Sequence, residues 1–367
     1  MSVDRREILV YAVCVASWIA SGFIHFPQLG WSIYSDIVSF WYRPESGDML
    51  RAGSAPCFQF FFEYPPASCL SIYASALLSS GDTIRYYQAF FYLSLPAYIA
   101  IAWSIIRISR ISGSGWLGLV FAASPSLVLY GIYNFDHYAA ALAGLSTVLM
   151  LRKRYFIGGL AAGLGFAFKL YTALLIPIVF IETRGRERLD YLLGFIAGAA
   201  PLYLAQAVLN PAGLVQFIEY HSGWGLENAW YIWIFWDQFS PTAKMLGTLL
   251  GAFLVLQAAL MRGPVLPRMF LAVSSWLIMS YIFTPQMVIW LIPFWAAVPR
   301  SVLPYWPSLE ISNVAIILTW FGDYNPVMPP SPPQVMTLIR AASLALMMVA
   351  VYRNDIKKTK IETPLRG

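Results

Sequence analysis

The sequence predicts an all-α polytopic membrane protein, and three observations carry that expectation. Charged residues make up 11% of the 367 positions and hydrophobic residues 59%, whereas a soluble domain carries about 25% charged residues. Too little polar surface remains to cover a water-soluble body of this size. The mean hydropathy is +0.63, and the apolar residues fall in runs that approach the roughly 20 residues a helix needs to cross a bilayer with its backbone groups satisfied. Fourteen Trp, 22 Tyr and 24 Phe supply amphipathic rings of the kind that gather at headgroup level.

Residues 1–7 precede a long apolar run without a small-residue cleavage site, so a retained first helix with a cytoplasmic N-terminus is expected. The clear spans that follow are 8–26, 86–106, 189–208, 242–261 and 336–352. Shorter or broken runs fall at 64–80, 115–131, 137–151, 156–168, 170–183, 267–283, 286–299 and 309–322. Several of these suit half-helices or helices buried within a bundle. Positive residues order the loops: Arg152 to Arg154, Arg184 to Arg188, Arg262, Arg300 and the tail with Lys357, Lys358 and Lys360 fit inside. The turns between them then face outward, and both termini are cytoplasmic. Crossing at both 64–80 and 86–106 would put Arg107 and Arg110 outside, so one run fails to span or a later helix is re-entrant. About 12 spans are expected.

Two connections, 27–63 and 209–241, are too long for tight turns, and both fall outside. The first holds an amphipathic segment from Trp31 to Tyr42, with Ile33, Ile37 and Phe40 at helical spacing, which suits an interfacial helix. Pro326, Pro329, Pro330, Pro332 and Pro333 read as a stiff external loop. With no solenoid repeat and no soluble stretch, residues 1–367 form a single transmembrane domain. The net charge of +6 is scattered between apolar runs, which excludes a nucleic-acid face and fits topology signals and lipid headgroups. Cys14, Cys57 and Cys69 lack metal-ligand spacing and read as small buried hydrophobes.

Ionisable residues near membrane depth are functional candidates because they are costly unless paired or facing water. Asp36 is an N-cap or an ordinary loop carboxylate, or else a general base, or a base that orients a hydroxyl nucleophile, at the external water boundary. Glu63, ahead of Tyr64-Pro65-Pro66, suits a helix start, as does Asp48. In Asn134-Phe135-Asp136-His137, Asp136 caps the next helix, or Asn134 and Asp136 bind sugar hydroxyls while Asp136 and His137 set the local charge. Lys169 either snorkels outward or contacts a leaving-group phosphate. Arg43 and Arg51 suit phosphate or lipid headgroups, and His221 and Gln286 complete the external set. No metal ligand set and no nucleotide-binding glycine loop is present. An activated donor would therefore arrive through the bilayer, and no cofactor is expected.

Together an acid after the first helix, a long external loop ending in Glu63-Tyr64-Pro65-Pro66, the Asn134-Phe135-Asp136 turn, Lys169-Leu170-Tyr171, and Thr284-Pro285-Gln286 followed by Trp290-Leu291 and Pro293 form a pattern. It resembles the GT-C superfamily of integral-membrane glycosyltransferases, nearest to the polyprenyl-phosphate-mannose-dependent alpha-mannosyltransferases of bacteria and archaea. The likeness runs from Asp36 to Pro293 and lacks the C-terminal periplasmic domain of larger members. It implies a GT-C-like bundle with interfacial helices in the first external loop, and Asp36 as the catalytic acid. It also implies inverting transfer of a hexose, most simply mannose, from a polyprenyl- or dolichyl-phosphate donor to a hydroxyl of a lipid-linked or glycan acceptor on the external face of the cell membrane. Tyr64 and Tyr171, within two of the motifs, join Arg43, Arg51, Glu63, Asn134, Asp136, His137, Lys169, His221 and Gln286 as substrate-binding residues. A multi-span transporter or flippase is the alternative; it calls for inverted repeats and midplane charges, and no internal symmetry is visible.

Overall fold

A computed structural model describes residues 5–29, 32–114 and 117–357. Among the described residues the chain is helical, with no strand and two isolated bridges, Pro56 to Phe60 and Glu227 to Ile282. Lys358 and Lys360, assigned to the inside, lie beyond them. The helices are α1 (Arg5–Ile24), α2 (Asp36–Tyr42), α3 (Ser46–Arg51), α4 (Pro66–Ser79), α5 (Thr83–Ser112), α6 (Leu117–Ala122), α7 (Pro125–Tyr130), α8 (Asp136–Leu151) and α9 (Tyr155–Phe168). They continue as α10 (Ile176–Glu182), α11 (Gly185–Leu209), α12 (Pro211–Gly223), α13 (Ile232–Phe235), α14 (Pro241–Leu260), α15 (Val265–Met279), α16 (Ile292–Trp295), α17 (Trp306–Leu318) and α18 (Pro332–Val351). Turns of 3₁₀ helix at Leu170–Leu175 and Pro285–Leu291 lead into α10 and α16.

Five described helices, starting at Arg5, Thr83, Gly185, Pro241 and Pro332, are long and apolar enough to cross a bilayer, and they coincide with the five clear runs. The shorter runs become helices too. At 1.5 Å per residue, the 14 residues of α4 and of α9 reach about 21 Å, short of a roughly 30 Å hydrocarbon core. The 115–131 run breaks between α6 and α7, where Pro125 starts a new helix.

The described residues divide into two compact units, each assembled from separate stretches. The first draws on Met1–Arg107, Leu127–Ala173 and Gly185–Gly223. Its helices α9 and α11 touch along glycines: a β-carbon on Gly159 or Gly163 would collide with the Tyr191 or Phe195 carbonyl, and one on Gly194 with the Phe156 carbonyl. Small residues at four-residue spacing are how helices approach closely in a membrane. Along α1, Trp18 stacks on Phe91 at 3.9 Å and donates its indole N–H to the Phe91 carbonyl at 3.0 Å.

The second unit draws on Ile108–Ser126, Leu174–Arg184 and Trp224–Gly367. Its core holds charges that sequence reasoning passed over. The Glu310 carboxylate, 1% exposed, accepts from the Ser124 hydroxyl at 2.6 Å and from the Ser126 N–H and hydroxyl at 2.8 and 2.6 Å. Asn313 donates to the Ser126 hydroxyl and to the Pro285 carbonyl, each at 2.9 Å. Arg340, wholly buried, donates to Asn313 Oδ1 at 2.9 Å, to the Asn228 carbonyl at 3.0 Å and to the Phe283 carbonyl. Each buried charge thus meets several hydrogen-bond partners, the condition under which such burial is tolerated.

Several local expectations are corrected. Cys57 and Cys69 are not separate small hydrophobes: they form a disulfide with Cα atoms 6.0 Å apart, and Cys14 alone remains a buried free thiol. Of the amphipathic segment Trp31 lies outside the described residues; the rest is helix only from Asp36, and its apolar residues Ile37, Phe40 and Trp41 pack into the protein. Ser35, not Asp36, caps α2, accepting from the Val38 N–H at 3.3 Å. Phe135 holds the cap position of α8 without a side-chain bond, and Asp136, the first helical residue, faces Lys169. Pro65 holds the cap position of α4 without a side-chain bond, and Glu63, outside the helix, pairs with Arg43. Asp48 sits in the first turn of α3 and pairs with Arg51, while Pro332 and Pro333 open α18 rather than belong to a loop.

Candidate active site

The first unit gathers a carboxylate, three hydrogen-bond donors and a lysine around the start of α2. Ser35 is extended, at φ −139°, which turns the chain into the helix, and the Asp36 N–H donates to the Tyr133 carbonyl at 3.1 Å. This bond ties α2 to the loop ahead of α8. From that loop Asn134, wholly buried, donates through Nδ2 to Asp36 Oδ2 at 2.6 Å and to the Tyr64 hydroxyl at 2.8 Å. Its own Oδ1 accepts from the Phe135 N–H at 2.6 Å, which fixes the amide orientation. The Tyr64 hydroxyl donates to the same Oδ2 at 3.2 Å. Tyr34 approaches from the other side and donates to Oδ1 at 3.0 Å. The two carboxylate oxygens are therefore distinguished: Oδ2 is locked by interior donors, and Oδ1 meets one exposed tyrosine.

Lys169 follows the end of α9, whose place is set by the glycine contact with α11. Its Nζ lies 4.7 Å from the centre of the Tyr64 ring and 3.5 Å from Asp136 Oδ2. Arg43 pairs with Glu63 and covers the Phe40 ring at 4.7 Å. The disulfide from Cys57 to Cys69 closes the loop that carries Glu63 and Tyr64. This loop is pinned at both ends.

Burial raises the Asp36 pKa above the usual carboxylate value of 3.8. Tyr34, Lys169 and Arg43 pull it down and Glu63 pushes it up. Burial and the Asp36 charge push Tyr34 up to about 12 and Tyr64 well above its ordinary value. Both phenols stay protonated and keep donating to the carboxylate.

Of the residues selected from sequence, Asp36, Arg43, Glu63, Tyr64, Asn134, Asp136 and Lys169 converge here. His221, on α12, bonds the Phe217 carbonyl at 2.9 Å. Its pKa is lowered by burial, with Lys169 lowering it and Glu63 raising it through space. Arg51 is held elsewhere, by Asp48 and the Trp41 carbonyl. His137 is enclosed by the rings of Phe90, Tyr98 and Tyr138. Tyr171 is buried in the 3₁₀ turn after Lys169, and Gln286 belongs to the second unit, 7% exposed. Sequence reasoning missed Tyr34; its place two residues before Asp36, on the extended lead-in to a helix, was the available signal.

The family model described as glycosyltransferase family 87 matches residues 61–301, well over half of the chain. The chain belongs to glycosyltransferase family 87. This is a GT-C-type family, and with its apolar helices the glycosyltransferase is a multi-pass membrane protein. The matched range takes in Glu63, Tyr64, Asn134, Asp136 and Lys169 and begins after Asp36, whose place in the site rests on the contacts above. The glycosyltransferase also resembles ArnT from Cupriavidus metallidurans in two crystal structures. With undecaprenyl phosphate bound, identity is 15%, coverage 94% of this chain and 76% of ArnT, and the TM-score 0.45. In the apo state the values are 15%, 95%, 77% and 0.48. No curated protein matches the chain.

Proposed function

We propose that the glycosyltransferase moves a hexose, most simply mannose, from a polyprenyl- or dolichyl-phosphate donor to a hydroxyl of a lipid-linked or glycan acceptor on the external face, with inversion at the anomeric carbon. The observation that carries this reading is the Asp36 carboxylate, held in one orientation by Tyr64 and Asn134, with Lys169 beyond Tyr64. Asp36 takes the acceptor hydroxyl proton, and the acceptor oxygen bonds to the anomeric carbon. The bond from that carbon to the phosphate oxygen breaks, and its electron pair leaves with the phosphate. The phosphate departs as a stabilised anion, so a single carboxylate suffices, unlike the pair a glycosidase needs. Lys169 offers the phosphate a point charge, and to do so it moves off Asp136. The disulfide supports an external position for this loop, since such bonds persist in oxidising surroundings.

Asp36→Asn keeps size and hydrogen bonding and removes the base. With purified protein and polyprenyl-phosphate-mannose, donor binding is expected to persist while turnover falls about 10²–10⁴-fold. A folded variant that transfers sugar at the unmodified rate removes Asp36 from this role.

A further inference from the structure

Two arginines distant in the chain meet at one ring. The Arg107 guanidinium lies 5.7 Å from the centre of the Trp103 indole, and the Arg152 guanidinium 5.5 Å from it. Arg107 and Trp103 stand one turn apart on α5, and Arg152 is the C-cap of α8. All three belong to the first unit. Arg152 is exposed, whereas Trp103 and Arg107 are half-buried. Among the described residues neither guanidinium pairs with a carboxylate, and the buried Arg107 Nε–H has no acceptor. The indole attracts each cation but does nothing for their mutual repulsion. A helix C-terminus favours a cation, which accounts for each arginine singly and not for their meeting.

The pair lies at the far end of this unit from Asp36. Helix α5 starts beside α2, where the Tyr42 hydroxyl donates to the Thr83 hydroxyl at 3.2 Å and Trp41 stacks on Tyr86 at 4.4 Å. It then runs antiparallel to α1: Tyr87 donates to the Gly22 carbonyl at 2.8 Å, Phe91 stacks on Trp18, and Arg107 and Glu7 both act on Tyr11 through space. Most of the length of α1, 20 residues or about 30 Å, therefore separates Arg107 from the Asp36 end. Ile8 and Leu9 are exposed near the same level, so the surroundings are apolar as well as cationic. We infer that Arg107, Trp103 and Arg152 bind the phosphate of an anionic diacyl phospholipid in the leaflet opposite the active site. The two guanidiniums offer the phosphate forked donors, the Arg107 Nε–H gains an acceptor, and the indole sits at headgroup level. The acyl chains lie along the apolar surface beside Ile8 and Leu9, a contact that a free phosphate ion lacks. Helix α8 carries Asp136 at its other end, so the bound lipid braces a helix that leads to the active site.

Binding is read without reference to transfer activity. Full-length protein in mild detergent is titrated with phosphatidylglycerol, and separately with phosphatidylcholine of the same acyl chains, by native mass spectrometry. Phosphatidylglycerol is expected to bind more tightly. Arg107→Gln and Arg152→Gln should each weaken its tightest binding by about fivefold, the effect of one cation near an anionic lipid. Lys153→Gln removes the same charge from an exposed neighbour of Arg152 and should leave that binding nearly unchanged. Excess inorganic phosphate should not displace the lipid. Equal binding of the two lipids overturns the site. Equal weakening by Lys153→Gln and Arg152→Gln also overturns it, because diffuse charge would then suffice. Displacement by inorganic phosphate replaces the lipid site with one for a free anion. Arg107 is half-buried, and if Arg107→Gln does not fold, the exposed Arg152 decides: unweakened binding in folded Arg152→Gln overturns the proposal.

Discussion

Asp36 meets opposing charges at short range, and their balance sets the pH at which it can act as a base. Burial raises its pKa above 3.8; Lys169 and Arg43 lower it, and Glu63 raises it. A base works in its ionised form, so activity is full above this raised value and is lost as pH falls through it. Glu63→Gln deletes a negative neighbour, so the acid limb of kcat/KM is expected to move to lower pH. Lys169→Met deletes a positive neighbour and should move the limb to higher pH. Profiles recorded on both variants check this, and a limb unmoved in either separates Asp36 from the rate. At this scale the sequence was legible where a polar residue interrupts an apolar stretch, as Asp36, Asn134 and Lys169 do. It was silent on pairing: Arg51 reads like Arg43, but Asp48 three residues earlier holds Arg51 locally, while Glu63 brings Arg43 to the site.

Helix α9 delivers Lys169, and its depth of approach to α11 is set by missing side chains. Gly163→Val places a branched side chain against the Phe195 carbonyl. Overpacking costs about 1–3 kcal/mol, and displacement of the end of α9 would carry Lys169 with it. Thermal unfolding in detergent is expected to fall clearly for Gly163→Val and less for Gly163→Ala, with donor KM rising in step. Equal stability of all three proteins would place the helices further apart than the contact at Gly163 requires. Helices were the most legible elements, because apolar runs of this length leave the backbone one way to satisfy itself in lipid. The disulfide was not legible: two cysteines 12 positions apart meet only if the chain between them doubles back, and periodicity carries no such information. The short helices α2 and α3 were blurred for a related reason. Their apolar residues face protein, so nothing in the pattern distinguishes them from a segment lying in the interface.

Across the whole molecule, orientation and the buried charges of the second unit each lead to a measurable outcome. In a Cys14→Ala background, Ala52→Cys at an exposed position of the same loop is expected to react with a membrane-impermeant maleimide on intact cells. Labelling confined to lysed cells would put the loop, and the reaction, inside. Arg340→Met strips donors from Asn313 and from two backbone carbonyls. Leaving buried acceptors unsatisfied costs about 1–3 kcal/mol each, and the yield of folded protein measured by size exclusion should drop. The class of fold and one face of the site could be read from composition and motif order. The Glu310 and Arg340 network could not, because its members sit singly in apolar helices far apart in the chain.

The interleaving of the two units has a consequence for biosynthesis. Residues Gly185–Gly223 of the first unit are made after Ile108–Ser126 of the second, so no nascent chain shorter than 223 residues holds either unit whole. Ser124 and Ser126 reach the bilayer 186 and 184 residues before the carboxylate that will accept their hydrogen bonds. An unpaired hydroxyl costs far less in an apolar medium than an ionised carboxylate. The chain therefore lays down its donors early and delivers Glu310 late, when what it needs is already in the membrane.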